Sequence, residues 1–471
     1  MERRAFFGSL SGLMGGVLLP PAAASAAASA AAVSAGPDAP SSAAAAVDSS
    51  LAADPAALAA GSDARLETCL ESSRLRQELQ QIDPGDERYW RLIREQFLLP
   101  DDYTYLNTGG LGASPLSVIR TVKEKSDAED TRPAAGHSLD DWWAMKQAAA
   151  PLFGPGIDKE ELAFVSTATE GINIVLNGLP LAAGDEIITS THEHPALNIP
   201  LLNLMQERGI RVRFFEPDRE NSQGNLERIE ALITRRTRLI FISHITCTTG
   251  QIFPVAEIGR LARDRGILYA LDGAQAIGSH PFDIAGMNVD AYAVSAHKWL
   301  LGPRRTGILW VRRGMWETIR PTVVGAYSDR LTDLDNKRLE LQDSAQRYEF
   351  GTQNDALYYG LGEAVEFIRA IGLQEIERHD TALAEAFVRG LEEIPGIELL
   401  SPDRAADRSA MITFRPTGRD YREFTTALGR QKIRVRPVGE AHLDAIRISF
   451  HVYNSAADVE RLLDALAGIA V

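Results

Sequence analysis

Between residues 160 and 311 short apolar runs alternate with longer amphipathic stretches. The runs cover 161–165, 186–189, 212–215, 239–243, 267–271, 291–295 and 308–311. The stretches between them repeat apolar residues at helical spacing, as in 255–262 with Val255, Ile258, Leu261 and Ala262. Strand and helix in alternation predict an α/β architecture with a mainly parallel sheet covered on both faces. From residue 361 the pattern changes to amphipathic helices at 363–371 and 381–393, short strands around Met411 and Ile446, and a last helix over 456–468. The expected organisation is therefore a large domain over 101–360 and a smaller α+β C-terminal domain over 361–471. Upstream, 63–100 reads as a helical arm in which leucines such as Leu75 and Leu79 recur among charged residues, broken at Pro84-Gly85.

The N-terminus has a different character. Arg3-Arg4-Ala5-Phe6-Phe7 precedes an apolar stretch that ends at Leu19, followed by Pro20-Pro21 and an Ala/Ser tract. A charged start, a short apolar middle and small residues after it form the pattern of a signal peptide. The stretch contains Gly8, Gly12, Gly15 and Gly16 and is shorter than the roughly 20 residues a spanning helix needs. A cleaved segment is expected rather than a permanent membrane span. The paired arginines followed by phenylalanine resemble a twin-arginine export signal. The reading is a signal at 1–30, an Ala/Ser-rich linker at 31–62, and delivery by the twin-arginine machinery to the periplasm or outside the cell.

Composition narrows the function. With 49 Lys and Arg against 64 Asp and Glu, the net charge of −15 argues against nucleic acid as a partner. Two cysteines, Cys69 and Cys247, allow at most one bridge, and their spacing matches neither a zinc knuckle nor a CxxC redox motif.

In a sheet of this type ligands sit beyond the carboxyl ends of the strands. There the sequence places Asp272-Gly273-Ala274-Gln275 after one run and Ser295-Ala296-His297-Lys298 after another, with Gly302 and Gly307 beyond. Taken singly, an Asp or a Lys at a strand end is usually solvated surface. Taken together, a carboxylate and an amine converge on one crevice. These motifs, with Asp272 and Lys298 separated by 26 positions, resemble the class V aminotransferases, fold type I enzymes of pyridoxal 5′-phosphate. The resemblance extends from Tyr103 to the C-terminus.

The roles that follow are implied by that resemblance. Lys298 would hold the cofactor as a Schiff base and move protons at the substrate α-carbon, while Asp272 would pair with the pyridine nitrogen. His194 would stack on the ring and Gln275 would bond its hydroxyl. Ala168 and Thr169, at the start of a helix after 161–165, would cradle the phosphate with Ser295 and His297. Thr169 would equally serve as a helix N-cap, and the two duties can coexist. Gly351-Thr352 matches a pair that reaches the neighbouring subunit's phosphate, which implies a homodimer. Arg447 would clamp the substrate carboxylate, with Arg436 a second match and Asn107, in Leu106-Asn107-Thr108-Gly109-Gly110, lining the substrate side. His192-Glu193-His194 offers no third ligand for a metal, because adjacent residues point to different sides, so no metal is expected. Cys247 is expected to be a buried structural thiol.

The motifs leave the reaction open. Desulfurases of this class carry a mobile cysteine before the substrate arginine, and 437–446 contains none, which disfavours sulfur transfer. Leu106 to Gly112 and the Glu193-His194-Pro195 sequence resemble the isopenicillin N epimerase-like branch. The expected enzyme acts on an amino acid or peptide-borne amine, with transamination as the default and peptide siderophore tailoring one outlet. Epimerisation or carbon-sulfur lysis is the alternative, and a binding protein on a retained fold is the non-enzymatic one. His137, Tyr327 and His244 are candidates, by residue type, for the second acid or base that epimerisation requires.

Overall fold

All seven apolar runs of the central segment become strands of one sheet. The computed structural model describes residues 65–133 and 137–470, which belong to a single compact unit. A two-residue strand, β1 (Thr104–Tyr105), precedes the sheet strands β2 (Leu162–Val165), β3 (Glu186–Ser190), β4 (Arg211–Phe215), β5 (Thr237–Ser243), β6 (Leu268–Asp272), β7 (Ala291–Ser295) and β8 (Gly307–Val311). Their order is β2-β8-β7-β6-β5-β3-β4. The neighbours from β7 to β4 are parallel, and β8 runs antiparallel to both β2 and β7. Every residue of β8 is buried, so its run looks the same in either direction and its reversal is invisible to hydrophobic pattern.

Alternation along the strands creates two cores. Ile240, Ile242, Tyr269, Leu271, Tyr292 and Val294 pack on one face, and Ile187, Leu239, Phe241, Ala270, Ala291 and Ala293 on the other. The N-terminal arm contains α1 (Ser72–Leu79) and α2 (Glu87–Arg94), followed by α3 (Leu116–Thr131) and α4 (Leu139–Ala149). The sheet's crossovers are α5 (Ala168–Gly178), α6 (Pro195–Arg208), α7 (Gly224–Leu232) and α8 (Val255–Asp264). Helices α5 and α6 cover the second face through Ile172, Val175, Leu197 and Leu201. The first face receives Ile258 and Ala262 of α8 together with Leu75, Leu79 and Ile93 of the arm.

After a hairpin of β9 (Asp329–Asp333) and β10 (Arg338–Leu341) comes α9 (Asp355–Ile371), capped by the Asn354 side chain. The expected domain boundary at 360/361 lies inside this helix. The helix ends at Gly372, where φ is +95°, before α10 (Leu373–Glu392). Beyond it β11 (Ile397–Leu399), β12 (Met411–Pro416), β14 (Arg436–Val438) and β15 (Ala445–Ser449) form an antiparallel sheet in the order β11-β12-β15-β14. Phe387 of α10, Phe424 of α11 (Tyr421–Arg430) and Leu462 of α12 (Ala456–Ala470) pack against Ile412, Phe414, Ile446 and Ile448 of that sheet. Strand β1 pairs in parallel with β13 (Ile433–Arg434), and Asn107 bridges Ser449. These pairings bring the 104–112 segment, remote in sequence, beside Arg447. The signal and linker expected over 1–62 lie outside the described residues.

Candidate active site

Ser190, Ser243, Asp272 and Ser295 each end a strand of the central sheet at the same edge. The end of β2 joins them, because β8 reverses between β2 and β7 and sets Gly307 opposite both Val165 and Ser295. Lys298 lies three residues past Ser295, 8 % exposed, and Asp272 is 5 % exposed. Burial pushes the Asp272 carboxyl upward while Lys298 draws it back. Burial pulls the Lys298 ammonium downward while Asp272 holds it up. Among the described residues the ammonium of Lys298 has no hydrogen bond or ion pair, an arrangement that keeps an amine reactive. The glycine-rich segment fits closely here. A Cβ on Gly112 would stand 2.1 Å from the Lys298 carbonyl oxygen, and the Gly112 N–H donates to the His297 carbonyl at 2.8 Å.

Ala168 and Thr169 occupy the first turn of α5. The cap is Thr167, whose hydroxyl accepts from the Glu170 N–H at 3.3 Å, so Thr169 is not the N-cap. The helix starts two residues earlier than a cap at Thr169 requires. The Ala168 N–H donates to the Ser295 hydroxyl at 3.0 Å, which joins two expected phosphate contacts directly. The Thr169 N–H, two residues into the helix, has no intrahelical partner. His297 Nδ1 is buried without a partner, and burial lowers that ring's pKa to about 4.

His194 caps α6, its Nδ1 accepting from the Ala196 N–H at 3.1 Å. Burial, then the charges of Lys298 and Arg436, lower its pKa to about 3, so the ring is neutral at physiological pH. Gln275 is already engaged on both sides: Oε1 accepts from the Trp299 indole at 2.9 Å and Nε2 donates to the Gly109 carbonyl at 2.9 Å. One amide hydrogen remains for a ligand.

Arg447 is 1 % exposed. Its guanidinium donates to the Cys247 carbonyl and, at 3.3 Å, to Asn107 Oδ1, while Nε has no partner. Burial, then the nearby charge of Arg436, lowers its pKa to about 9. Arg436 stands directly opposite on β14 and is paired with Glu440. Cys247 is buried as expected, with Lys298, Arg436 and Arg447 bearing on its thiol, and its backbone carbonyl accepts from Arg447. Burial nevertheless drives the thiol's pKa up to about 11. Both cysteines are free.

Other expectations fall elsewhere. Thr352 is exposed and makes no hydrogen bond to the other site residues within its own chain. His137 stacks on Trp142 at 4.0 Å and lies 4.1 Å from the Tyr327 ring, and His244 bonds Tyr292 within an aromatic cluster. Among the described residues none of the three has a hydrogen bond to Lys298. His192 spends both ring nitrogens on Thr248 and Glu216. Two carboxylates escaped sequence reasoning. Glu193 is buried, accepts from the Ser190 hydroxyl at 2.5 Å and from that of Ser243, and burial raises its pKa to about 7. Glu440 carried one legible signal, its position four residues after Arg436 and between the two arginines.

Comparison with known proteins agrees with this geometry. Residues 140–462 match the family described as Aminotransferase class-V. A probable cysteine desulfurase of Methanothermobacter thermautotrophicus is 28% identical over 80% of this chain and 97% of its own length. The isopenicillin N epimerase of Amycolatopsis lactamdurans is 31% identical over 80% of this chain and 98% of its own. Among solved structures, a lysine-to-alanine mutant of the cystine C-S lyase C-DES, with glycine covalently linked to its pyridoxal phosphate cofactor, superposes with a TM-score of 0.72. It is 26% identical, over 79% of this chain and 98% of that one. The chain belongs to the class V aminotransferase family, pyridoxal phosphate-dependent enzymes of fold type I.

Proposed function

We propose that this enzyme acts at the α-carbon or amino group of an amino acid or a peptide-borne amine, with transamination as its leading reaction. The observation that carries the reading is the buried set of Lys298, Asp272 and Arg447: an amine and a carboxylate at one edge of the central sheet, and on β15 of the C-terminal sheet a guanidinium whose charge bears on that amine. The donor set suits the cofactor: an unpaired buried amine, a carboxylate facing it, a neutral histidine ring, and first-turn amides of α5 beside Ser295. When bound, pyridoxal phosphate supplies a ring that accepts the electron pair left on the α-carbon. Lys298 anchors the cofactor aldehyde, and its amine, with basicity lowered by burial, takes and returns the α-proton. Asp272 keeps a proton on the ring nitrogen. Thr169, Ser295 and His297 hold the phosphate, while Gln275 offers its remaining amide hydrogen to the ring hydroxyl. Arg447, oriented by the Cys247 carbonyl and Asn107, takes the substrate carboxylate. Replacing Lys298 with Ala should abolish the borohydride-fixed cofactor adduct and turnover together. Full activity in that variant would overturn the mechanism.

Epimerisation is the second reading, supported by 31% identity to an isopenicillin N epimerase. Product analysis separates the two, since epimerisation exchanges the α-hydrogen with solvent and leaves the amine in place. Carbon-sulfur lysis would instead release a sulfur product. Sulfur transfer through a persulfide has less support, because no cysteine lies in 437–446 and the Cys247 thiol is suppressed by burial.

The enzyme is further read as a homodimer in which Thr352 meets the partner's cofactor. Exposed Val323, Val324, Leu334 and Leu339, around the β9–β10 hairpin, supply apolar surface for such a contact. Sedimentation analysis of Leu334→Asp tests it, with dissociation expected. Export by the twin-arginine route to the periplasm is read from residues 1–30. Retention of the enzyme in the cytoplasm when Arg3 and Arg4 are both changed to Lys is the expected result. Among the described residues no helix is long and apolar enough to cross a membrane.

A further inference from the structure

Arg436 and Arg447 are register partners on adjacent antiparallel strands, so their side chains leave the same face of the sheet. Like charges directly opposite repel, yet the two are not treated alike. Arg447 bonds only to neutral oxygens, those of Cys247 and Asn107. Arg436 is bonded to Glu440, the one carboxylate joined to either guanidinium among the described residues. The pair is largely shielded, with side-chain exposures of 23% and 27%. One nitrogen of Arg436, Nη1, remains buried and without a partner.

Glu440 sits on the loop between β14 and β15, and that loop is unusual. Ala441, His442 and Asp444 all have φ between +47° and +55°, in the left-handed region that residues other than glycine rarely enter. Strain of this kind persists only where the surroundings fix it, and it concentrates at ligand clamps. Here the left-handed residues are exposed and follow directly on Glu440, which reaches back four positions to Arg436.

We infer that Glu440 is a specificity-determining residue: by neutralising Arg436 it leaves Arg447 as the guanidinium open to a carboxylate, and so selects substrates with one acid group near the reacting carbon over dicarboxylic ones. A second carboxylate approaching Arg436 meets Glu440 already in place. Displacing it exchanges one ion pair for another, with no net gain, and binding at Nη1 alone brings two carboxylates together. Removing the charge of Glu440 opens Nη1 and its neighbour to a second acid. This inference rests on the assignment of Arg447 to the substrate carboxylate.

The test is calorimetric titration of the holoenzyme with propionate and with succinate, which differ by one carboxylate. In the wild type succinate should bind no more tightly than propionate. In Glu440→Gln its affinity should rise about tenfold or more, the scale of one charge-assisted contact, while that of propionate stays within about threefold. Adding Arg436→Met to that variant should remove the gain. Arg436→Met alone should leave the ratio of the two affinities as in the wild type. An unchanged ratio in Glu440→Gln, or a loss specific to succinate in Arg436→Met alone, would overturn the inference. If propionate binding proves indifferent to Arg447→Lys, the carboxylate assignment itself fails, and this inference with it. If propionate binding depends on Arg447 and only the ratio fails to move, the inference alone is wrong.

Discussion

Replacing Arg447 with Met should separate stability from binding. The guanidinium is 1 % exposed and has a carbonyl and an amide oxygen for partners, with no carboxylate. Its pKa falls to about 9 from an ordinary value above about 12. Three pH units at about 1.4 kcal/mol each put the cost of holding that charge on the order of 4 kcal/mol. Methionine fills much of the volume and removes the charge, at the loss of two hydrogen bonds worth about 1 kcal/mol each. The balance favours the variant by about 2 kcal/mol. With an unfolding entropy of about 2 cal/mol/K per residue, that raises Tm by about 2 °C. Binding moves the other way. Removing one partner of a buried, hydrogen-bonded charge pair costs about 2–5 kcal/mol, so affinity for propionate should fall by about 30-fold to several thousandfold. Scanning calorimetry and titration of the same preparation measure both. A variant that melts well below the wild type yet binds propionate normally would show that Arg447 is a structural cation, and would refute the reasoning.

Asp272→Asn should lower turnover on the order of 10²–10³-fold, the scale of removing one electrostatic stabiliser from a dry site. Its single backbone bond, from the Ala274 N–H at 2.9 Å, can be kept by the amide oxygen, so the melting temperature should hold; unchanged turnover would remove Asp272 from the mechanism. Glu193 has a folded pKa of about 7, above its unfolded value of about 4.3. The folded state therefore binds the extra proton, and this group's contribution to stability grows as pH falls from about 7 to about 4.3, by up to about 3–4 kcal/mol. The difference between wild type and Glu193→Gln in denaturant titrations should change with that sign and in that window; a pH-independent difference would refute it. Gly112→Ala places a methyl 2.1 Å from the Lys298 carbonyl oxygen. It should cost about 1–3 kcal/mol and slow formation of the borohydride-fixed adduct on Lys298; normal stability and normal adduct formation would mean that the segment can move aside.

Much of this site could be read from residue order. Asp272 and Lys298 follow apolar runs, and parallel strands put such positions at one edge, so their meeting was legible before any coordinates. Other parts were not. The cap of α5 lies at Thr167 rather than Thr169, because both are threonines and only the backbone decides where the helix turns begin. Cys247 is buried as expected, but its bond to Arg447 comes from the backbone carbonyl, a group that every residue carries and that residue type cannot single out. Thr352 is exposed and makes no hydrogen bond to the other site residues of its own chain.

Sequence alone determined the strand and helix alternation and the carboxyl-edge site with its amine and carboxylate. Each of these is encoded by periodicity or by a side chain of fixed chemistry close to a strand end. Tertiary structure decided the reversal of β8, the pairing of β1 with β13 that sets Asn107 beside Arg447, and the opposition of Arg436 to Arg447 under Glu440. Those features depend on strand direction and register. A buried apolar run is indifferent to direction, and register between distant segments is settled only when both pack against a shared core.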